Sequence, residues 1–200
     1  MYPVEVELID WNRGGEDTII RAARTCYQSN DKSNRESDDR LIKRLIESGH
    51  HAMLEFGWVA IRIKCSRVVS HELVRHRLFS VGMQSQRYVN ESDPEFVTPL
   101  ELGECPYPAY AEGIYSDAMH MAWNVYRALL ESKVPKQIAR YVLPNSCMTE
   151  LIVGGNYREW RHFYQLRCSP KCQPEMQEVA KACLEILKEV APRIFEGVES

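Results

Sequence analysis

The spacing of hydrophobic and polar positions changes period several times along the 200 residues, and each change predicts an element. Residues 2–9 alternate imperfectly, Tyr2, Val4, Val6 and Leu8 against Pro3, Glu5, Glu7 and Ile9, which predicts an opening strand. Asp17 is placed to cap a helix through about Tyr27, with Ile19, Ile20, Ala23 and Cys26 on its apolar side. Residues 28–39 are polar without a period and predict a mobile loop; a short helix follows over Asp39–Ser48, stopped by Gly49. Gly57–Cys65 reads as a strand, with Trp58, Ala60, Ile61 and Ile63 apolar against Arg62 and Lys64. Ser66 can cap a helix to about Arg77, on which Val69, Leu73 and His76 share a face.

The second half is more helical. Residues 90–108 carry four prolines among several acids and read as an irregular connection, followed by helices over Ala109–Ser132 and Lys136–Val142. Met148–Val153 predicts a strand ended by Gly154-Gly155, Asn156–Arg167 an amphipathic helix, and Pro174–Val190 a last helix striped by Met176, Val179, Cys183, Ile186 and Val190. This order implies one α+β domain over residues 1–200, a small, mainly antiparallel sheet packed with helices. No GxGxxG is present, so a dinucleotide fold is not expected.

Composition narrows the function. A net charge of −3 argues against a general nucleic-acid binder, so an anionic ligand must be held by a local cluster, and Arg62, Lys64, Arg67, Arg75, Arg77 and Arg87 supply one. No apolar run approaches the roughly 18–20 residues that span a bilayer, and the opening MYPVEVELID lacks the features of a signal peptide. Seven scattered cysteines point to reduced thiols in a cytoplasmic protein, and the single close pair, Cys168 and Cys172, lacks the partners of a zinc site, so no metal is expected.

The chemistry concentrates in residues 75–88, RHRLFSVGMQSQRY: three arginines, a histidine and two serines suited to a phosphate. Ser85 has no acid placed to orient a base for it, so it reads as a phosphate ligand and not a nucleophile. Cys147 has no neighbouring base to lower its pKa, and no catalytic cysteine is assigned. Asn156 reads as a helix cap, and Trp160, Phe163 and Tyr164 as core or interface.

The pattern R-H-R, then seven residues, then S-x-R-Y, closely resembles the signature of the flavin-dependent thymidylate synthases. Residues 49–77 are similar to that family's histidine–glutamate segment and the strand leading into the signature, and residues 139–167 to its A-R-x-V-L-P opening, N-x-R turn and closing L-R. The terminal EVAPRIFE also resembles the family. The resemblance implies the thymidylate synthase-complementing fold and reductive methylation of dUMP to dTMP. It implies FAD as cofactor, NADPH and methylenetetrahydrofolate as co-substrates, and a homotetramer whose sites draw on several subunits. Carried over by residue, it implies that His50, Glu55, Arg75, His76, Arg77, Asn156, Arg158 and His162 meet the flavin. It likewise assigns Glu72, Ser85, Gln86 and Arg87 to the nucleotide, the last three at its phosphate, and Arg140 and Arg167 to the pyrimidine and its activation.

Three positions depart from the family pattern: Gly82-Met83 replaces a polar pair, Phe56 a histidine, and Glu72 a common glutamine. A carboxylate near a phosphate is repulsive unless Arg75 or another cation neutralises it. These departures keep two alternatives open: a relative acting on another pyrimidine nucleotide or forming a 5-hydroxymethyl product, and a flavin-free nucleotide-binding homologue.

Overall fold

The structure, a computed structural model, describes residues 2, 4–93 and 95–198. The opening strand, β1, runs Glu5–Trp11, later than the alternation of residues 2–9 predicts, and residue 3 of that prediction lies outside the described residues. Its pairing slips between Leu8 and Asp10, leaving Ile9 as an exposed bulge residue. The first helix, α1 (Gly15–Cys26), is entered through Gly14 at a left-handed φ of 79°, so Asp17 lies in the first turn instead of capping it.

The segment predicted as a mobile loop is tied down. Asn34 and Ser37 form a reciprocal cap that starts α2 (Arg35–Glu47) four residues before the predicted Asp39. Arg24 of α1 is buried and its Nε and Nη2 donate to Asp38 Oδ1 at 2.8 and 2.6 Å. Nη1 reaches the Ser29 carbonyl, and Ser33 donates to the other Asp38 oxygen. Breaking a buried pair of this kind costs about 3–5 kcal/mol.

A 3₁₀ turn over His51–Phe56 leads into β2 (Trp58–Ser66). Val59, Ile61, Ile63 and Cys65 are all fully buried on one period-2 face; of the predicted apolar positions Ile61 and Ile63 lie on it, whereas Trp58 and Ala60 share the other face with Arg62 and Lys64, Trp58 exposed. Ser66 caps α3 (Arg67–Leu73) through Val69 N, and Glu175 in turn grips Ser66 N and Oγ at 2.7 Å each. This helix stops short of the predicted Arg77, yet the face survives: Val69, Leu73 and His76 are all buried. β3 (Ser80–Met83), a short strand containing a glycine, was not expected from the sequence.

The predicted helix after the proline-rich connection is α4 (Pro108–Glu131); Lys136–Val142 is α5 (Lys136–Ala139) followed by a 3₁₀ turn. β4 (Met148–Asn156) continues through Gly154-Gly155, where the sequence predicted its end. The glycines serve close approach, since side chains there would meet the Trp58 indole and the Phe79 ring. Asn156 Oδ1 accepts from Glu159 N at 2.9 Å to cap α6 (Tyr157–Arg167) as predicted, and α7 (Pro174–Val190) matches its expectation; α8 (Pro192–Phe195) was not foreseen.

The four strands form one antiparallel sheet in the order β1-β2-β4-β3. With helices on its buried face this is the expected α+β architecture. The other face is polar. Arg62 pairs with Glu7 and Glu150, and Lys64 with Glu5 and Glu95, so these two cations are neutralised on the sheet. They leave the basic cluster that the sequence alone assembled.

Candidate functional site: an arginine-anchored groove along one helix

Helix α6 is buried on the side of Trp160, Phe163 and Tyr164, as expected of core residues, and turns its other residues toward a trough. Three adjoining cavities of about 390, 360 and 280 Å³ share wall residues along it. The first holds Tyr27, His50 and Met53; the second shares His51 and Arg158 with it; the third shares Leu78, Glu159 and His162 with the second and ends at Arg75, His76, Arg77 and Arg167. Most residues carried over to the flavin therefore line one groove. Glu55 lies beside it, its carboxylate paired with Arg158 Nη1 at 2.6 Å. Asn156 is the exception, because its side-chain oxygen is occupied by the helix cap.

The turn after α3 separates the three residues of the R-H-R triplet. His76 N bonds to the Leu73 carbonyl and the ring goes inside, against Phe79 and Phe163 at centroid distances of 5.8 and 5.0 Å. Arg75 and Arg77 stay exposed on either side.

Arg167, in the last turn of α6, is fixed by two neighbours. Its Nε donates to His76 Nε2 at 2.9 Å and its Nη1 to Glu72 Oε2 at 2.5 Å. Glu72, the carboxylate that the sequence left in need of a cation, is thus neutralised by Arg167 and not by Arg75. Cys172 Sγ lies 3.9 Å from the same Nη1. Cys168 and Cys172 both lie beyond α6, which ends at Arg167.

Burial, the Arg167 charge and His162 together push the His76 imidazole down to about 4, so it is neutral at pH 7. The unfolded chain takes up a proton near 6.5 that the folded chain refuses until about 4. This group's stabilisation is therefore complete above about pH 6.5 and falls away as pH drops to about 4, by roughly 3 kcal/mol at most. Glu159, raised by burial, slopes the other way, so the direct observable is the ring itself. ¹⁵N spectra of His76 are expected to show a neutral ring down to about pH 5 and a midpoint near 4; a midpoint of about 6 or above contradicts this arrangement.

A second cluster forms beyond the other end of β3. Ser85 Oγ accepts from Arg87 N at 3.3 Å, and its carbonyl closes the turn to Tyr88 and Val89. Gln137 joins the two cations of this cluster: its side-chain oxygen accepts from Arg87 Nε at 3.0 Å and its carbonyl from Arg140 Nε at 3.3 Å. Lys136, whose Nζ donates to the Tyr88 carbonyl at 3.0 Å, is a further cation that the sequence reading missed. Gln86 is buried, with its Nε2 unpartnered among the described residues. Met83 packs toward the core opposite Leu151, while Gly82 lies on the exposed face opposite Ile152. The two positions of the lost polar pair therefore point to opposite faces of the sheet.

Within the chain the clusters do not meet. Ser80 pairs with Gly154 and Met83 with Leu151, so β3 stands between them, with about 10 Å of strand before either flanking turn is counted.

Fold and site together define an α+β protein with an arginine-anchored groove and a separate anion-suited loop. A sequence model of the family described as thymidylate synthase complementing protein matches residues 7–193. The chain is 37% identical over 201 residues to a protein from Mycobacterium avium (strain 104) named flavin-dependent thymidylate synthase, covering 93% of this chain and 80% of that one. A protein of the same name from Corynebacterium glutamicum is 35% identical over 212 residues, 98% of this chain and 85% of its own. One from Mycolicibacterium gilvum is 36% identical over the same length and coverage. The chain belongs to the thymidylate synthase complementing protein family.

Proposed function

We propose that the chain is a flavin-dependent thymidylate synthase that methylates dUMP to dTMP with methylenetetrahydrofolate and NADPH. The observation that carries this is Arg167. Its guanidinium is held at Nε and Nη1 beside a groove, and Nη2 has no partner among the described residues, which suits it to a pyrimidine carbonyl on which negative charge develops. The groove suits FAD by its donors, since Arg75, Arg77, Arg158 and His162 offer charge-assisted and imidazole hydrogen bonds to phosphates and ring carbonyls. Bound there, the flavin would supply the reducing chemistry of the methyl transfer.

A cysteine-nucleophile route fits poorly. Burial raises the Cys147 thiol to about 12, with Glu91 adding to the effect, so a thiolate is scarce at neutral pH. Arg87, Arg140 and the Ser85 hydroxyl are suited to the nucleotide's 5′-phosphate and base, and Lys136 extends that set. The seven free thiols support a cytoplasmic setting, and no helix among the described residues is long and apolar enough to cross a membrane.

Placing both clusters on one nucleotide requires subunits to share a site, and a homotetramer supplies this. Helix α4 supports it: Tyr110, Ile114, Met121 and Val125 form an exposed apolar stripe at helical spacing, while Trp123 and Tyr126 face inward. Ile114→Glu combined with Met121→Glu is expected to reduce the mass by light scattering from four chains to one or two, with loss of turnover. An unchanged tetramer would remove α4 from the interface.

The functional test is one anaerobic incubation of the protein with FAD, NADPH, methylenetetrahydrofolate and dUMP, with the nucleotide identified by mass. A 5-methyl product is the expected result. A 5-hydroxymethyl product, or unchanged dUMP with a plainly yellow protein, would overturn the stated reaction, and absence of bound flavin would overturn the enzyme reading altogether.

A further inference from the structure

Glu159 is a carboxylate that the interior does not need. It sits in the first turn of α6, 4% exposed, in the wall where the second and third cavities of the groove meet. Asn156 Oδ1 accepts from its backbone N–H, but among the described residues its carboxylate does not complete a capping box by reaching back to the Asn156 N–H. Burying a carboxylate costs several kcal/mol unless it finds partners. Among the described residues its ion-pair-distance neighbour is the His76 imidazole, with Nδ1 3.4 Å from Oε1; Arg158 and His162 act on it through their charge.

The other side of that imidazole fixes its proton. A guanidinium does not lose its protons in a protein, so Arg167 Nε–H can only donate, and His76 Nε2 must present a lone pair at 2.9 Å. A neutral ring then carries its hydrogen on Nδ1, the nitrogen that faces Glu159. If the hydrogen moved to Nε2, two N–H donors would confront each other and the Arg167 anchor would be lost. The Glu72 anchor would remain and could hold the guanidinium by one nitrogen only, leaving it free to pivot.

We propose that Glu159 is a positioning residue which, by holding His76 in the Nδ1–H form, orients Arg167 for the pyrimidine. It acts through the 3.4 Å contact with His76 and the Arg167–His76 hydrogen bond in series, and need not touch the substrate. Its carboxyl oxygen, 3.4 Å from Nδ1, is able to accept from it whether the acid is ionised or protonated, so the device does not depend on that state. The catalytic meaning rests on the function proposed above; the structural relay does not.

The test compares Glu159→Ala with Glu159→Gln. Glutamine keeps a carbonyl oxygen able to accept from Nδ1, whereas alanine removes the acceptor. In the flavin-loaded enzyme, Glu159→Ala is expected to lower kcat for dUMP by about tenfold to a hundredfold, the range for losing an orienting partner of this kind. KM should change less than about threefold, and Glu159→Gln should stay within about threefold of the parent in both.

In ¹⁵N spectra of the protein without substrate, His76 should be the Nδ1–H form in the parent and in Glu159→Gln. In Glu159→Ala it should become a mixture, and the Arg167 Nε–H signal should broaden or shift. Unchanged spectra for Glu159→Ala would overturn the relay, as would equal damage from the two variants. If the parent shows no nucleotide methylation, it is the functional reading that has failed, and the spectra still decide the relay.

Discussion

Arg167→Lys is expected to lower kcat for dUMP methylation by roughly a hundredfold to a thousandfold while leaving the fold standing. Lysine keeps the charge, but its ammonium is a single point. It cannot donate to His76 Nε2 and Glu72 Oε2 from separate nitrogens and still present a third donor in the same plane. Arg167 is partly exposed and ends its helix, so the melting temperature should move by no more than a few degrees. The measurement is steady-state turnover with saturating reductant, beside a thermal melt. A variant within tenfold of the parent would mean that the guanidinium geometry is not what the reaction uses, and the proposed role of Arg167 would fall.

Gly57→Ala should give the largest loss of stability of any single methyl addition considered for this chain. Gly57 has φ −93° and ψ 143°, an ordinary extended conformation, so backbone freedom is not the reason for glycine there. Space is the reason. A Cβ at that position would overlap the ring of Tyr157, which is fully buried, and the Gly57 carbonyl is held by Tyr157 N at 3.0 Å, so neither partner can retreat easily. Overpacking of this kind costs about 3 kcal/mol, which for a domain of this size lowers the melting temperature by roughly 6–12 °C. Gly82→Ala provides the contrast: nothing lies within 4 Å of the added carbon, and the change should stay within about 0.5 kcal/mol. Equal effects at the two glycines would show that the Tyr157 contact is not what makes Gly57 necessary.

The sequence was most legible where a repeating period met a cap. β2 and α7 were readable because their apolar positions recur at 2 and near 3.6 residues, and α3 and α6 because Ser66 and Asn156 sit immediately before the first turn. It was least legible where one segment's conformation is set by another. β3 has four residues, one of them glycine, and exists only because β4 offers a ladder; β4 in turn runs through two glycines whose missing side chains make room for Trp58 and Phe79. The polar stretch 28–39 looked structureless because its organiser, Arg24, lies earlier in the chain and reads as one more charge on α1.

The site divides the same way. The sequence by itself determined which residue types are present and in what order, enough to mark Arg75–Arg77, Ser85–Arg87, Arg140 and Arg167 as chemically important and to identify the family. A motif also keeps residues adjacent, and adjacency misled in one respect: it grouped Arg62, Lys64 and Arg67 with the functional arginines. The first two are paired off on the outer sheet face, and Arg67 has its Nη1 buried without a hydrogen-bond partner among the described residues.

Only the tertiary structure decided which groups act on one another. It placed Glu72 against Arg167 across 95 residues, brought Glu159 to His76, and put the two halves of the signature at opposite ends of β3. These pairings follow from packing α6 against the turn after α3. Burial then gives them their effect, because inside the protein a carboxylate or imidazole takes its charge and its proton position from the few groups it touches. No spacing along the chain encodes that.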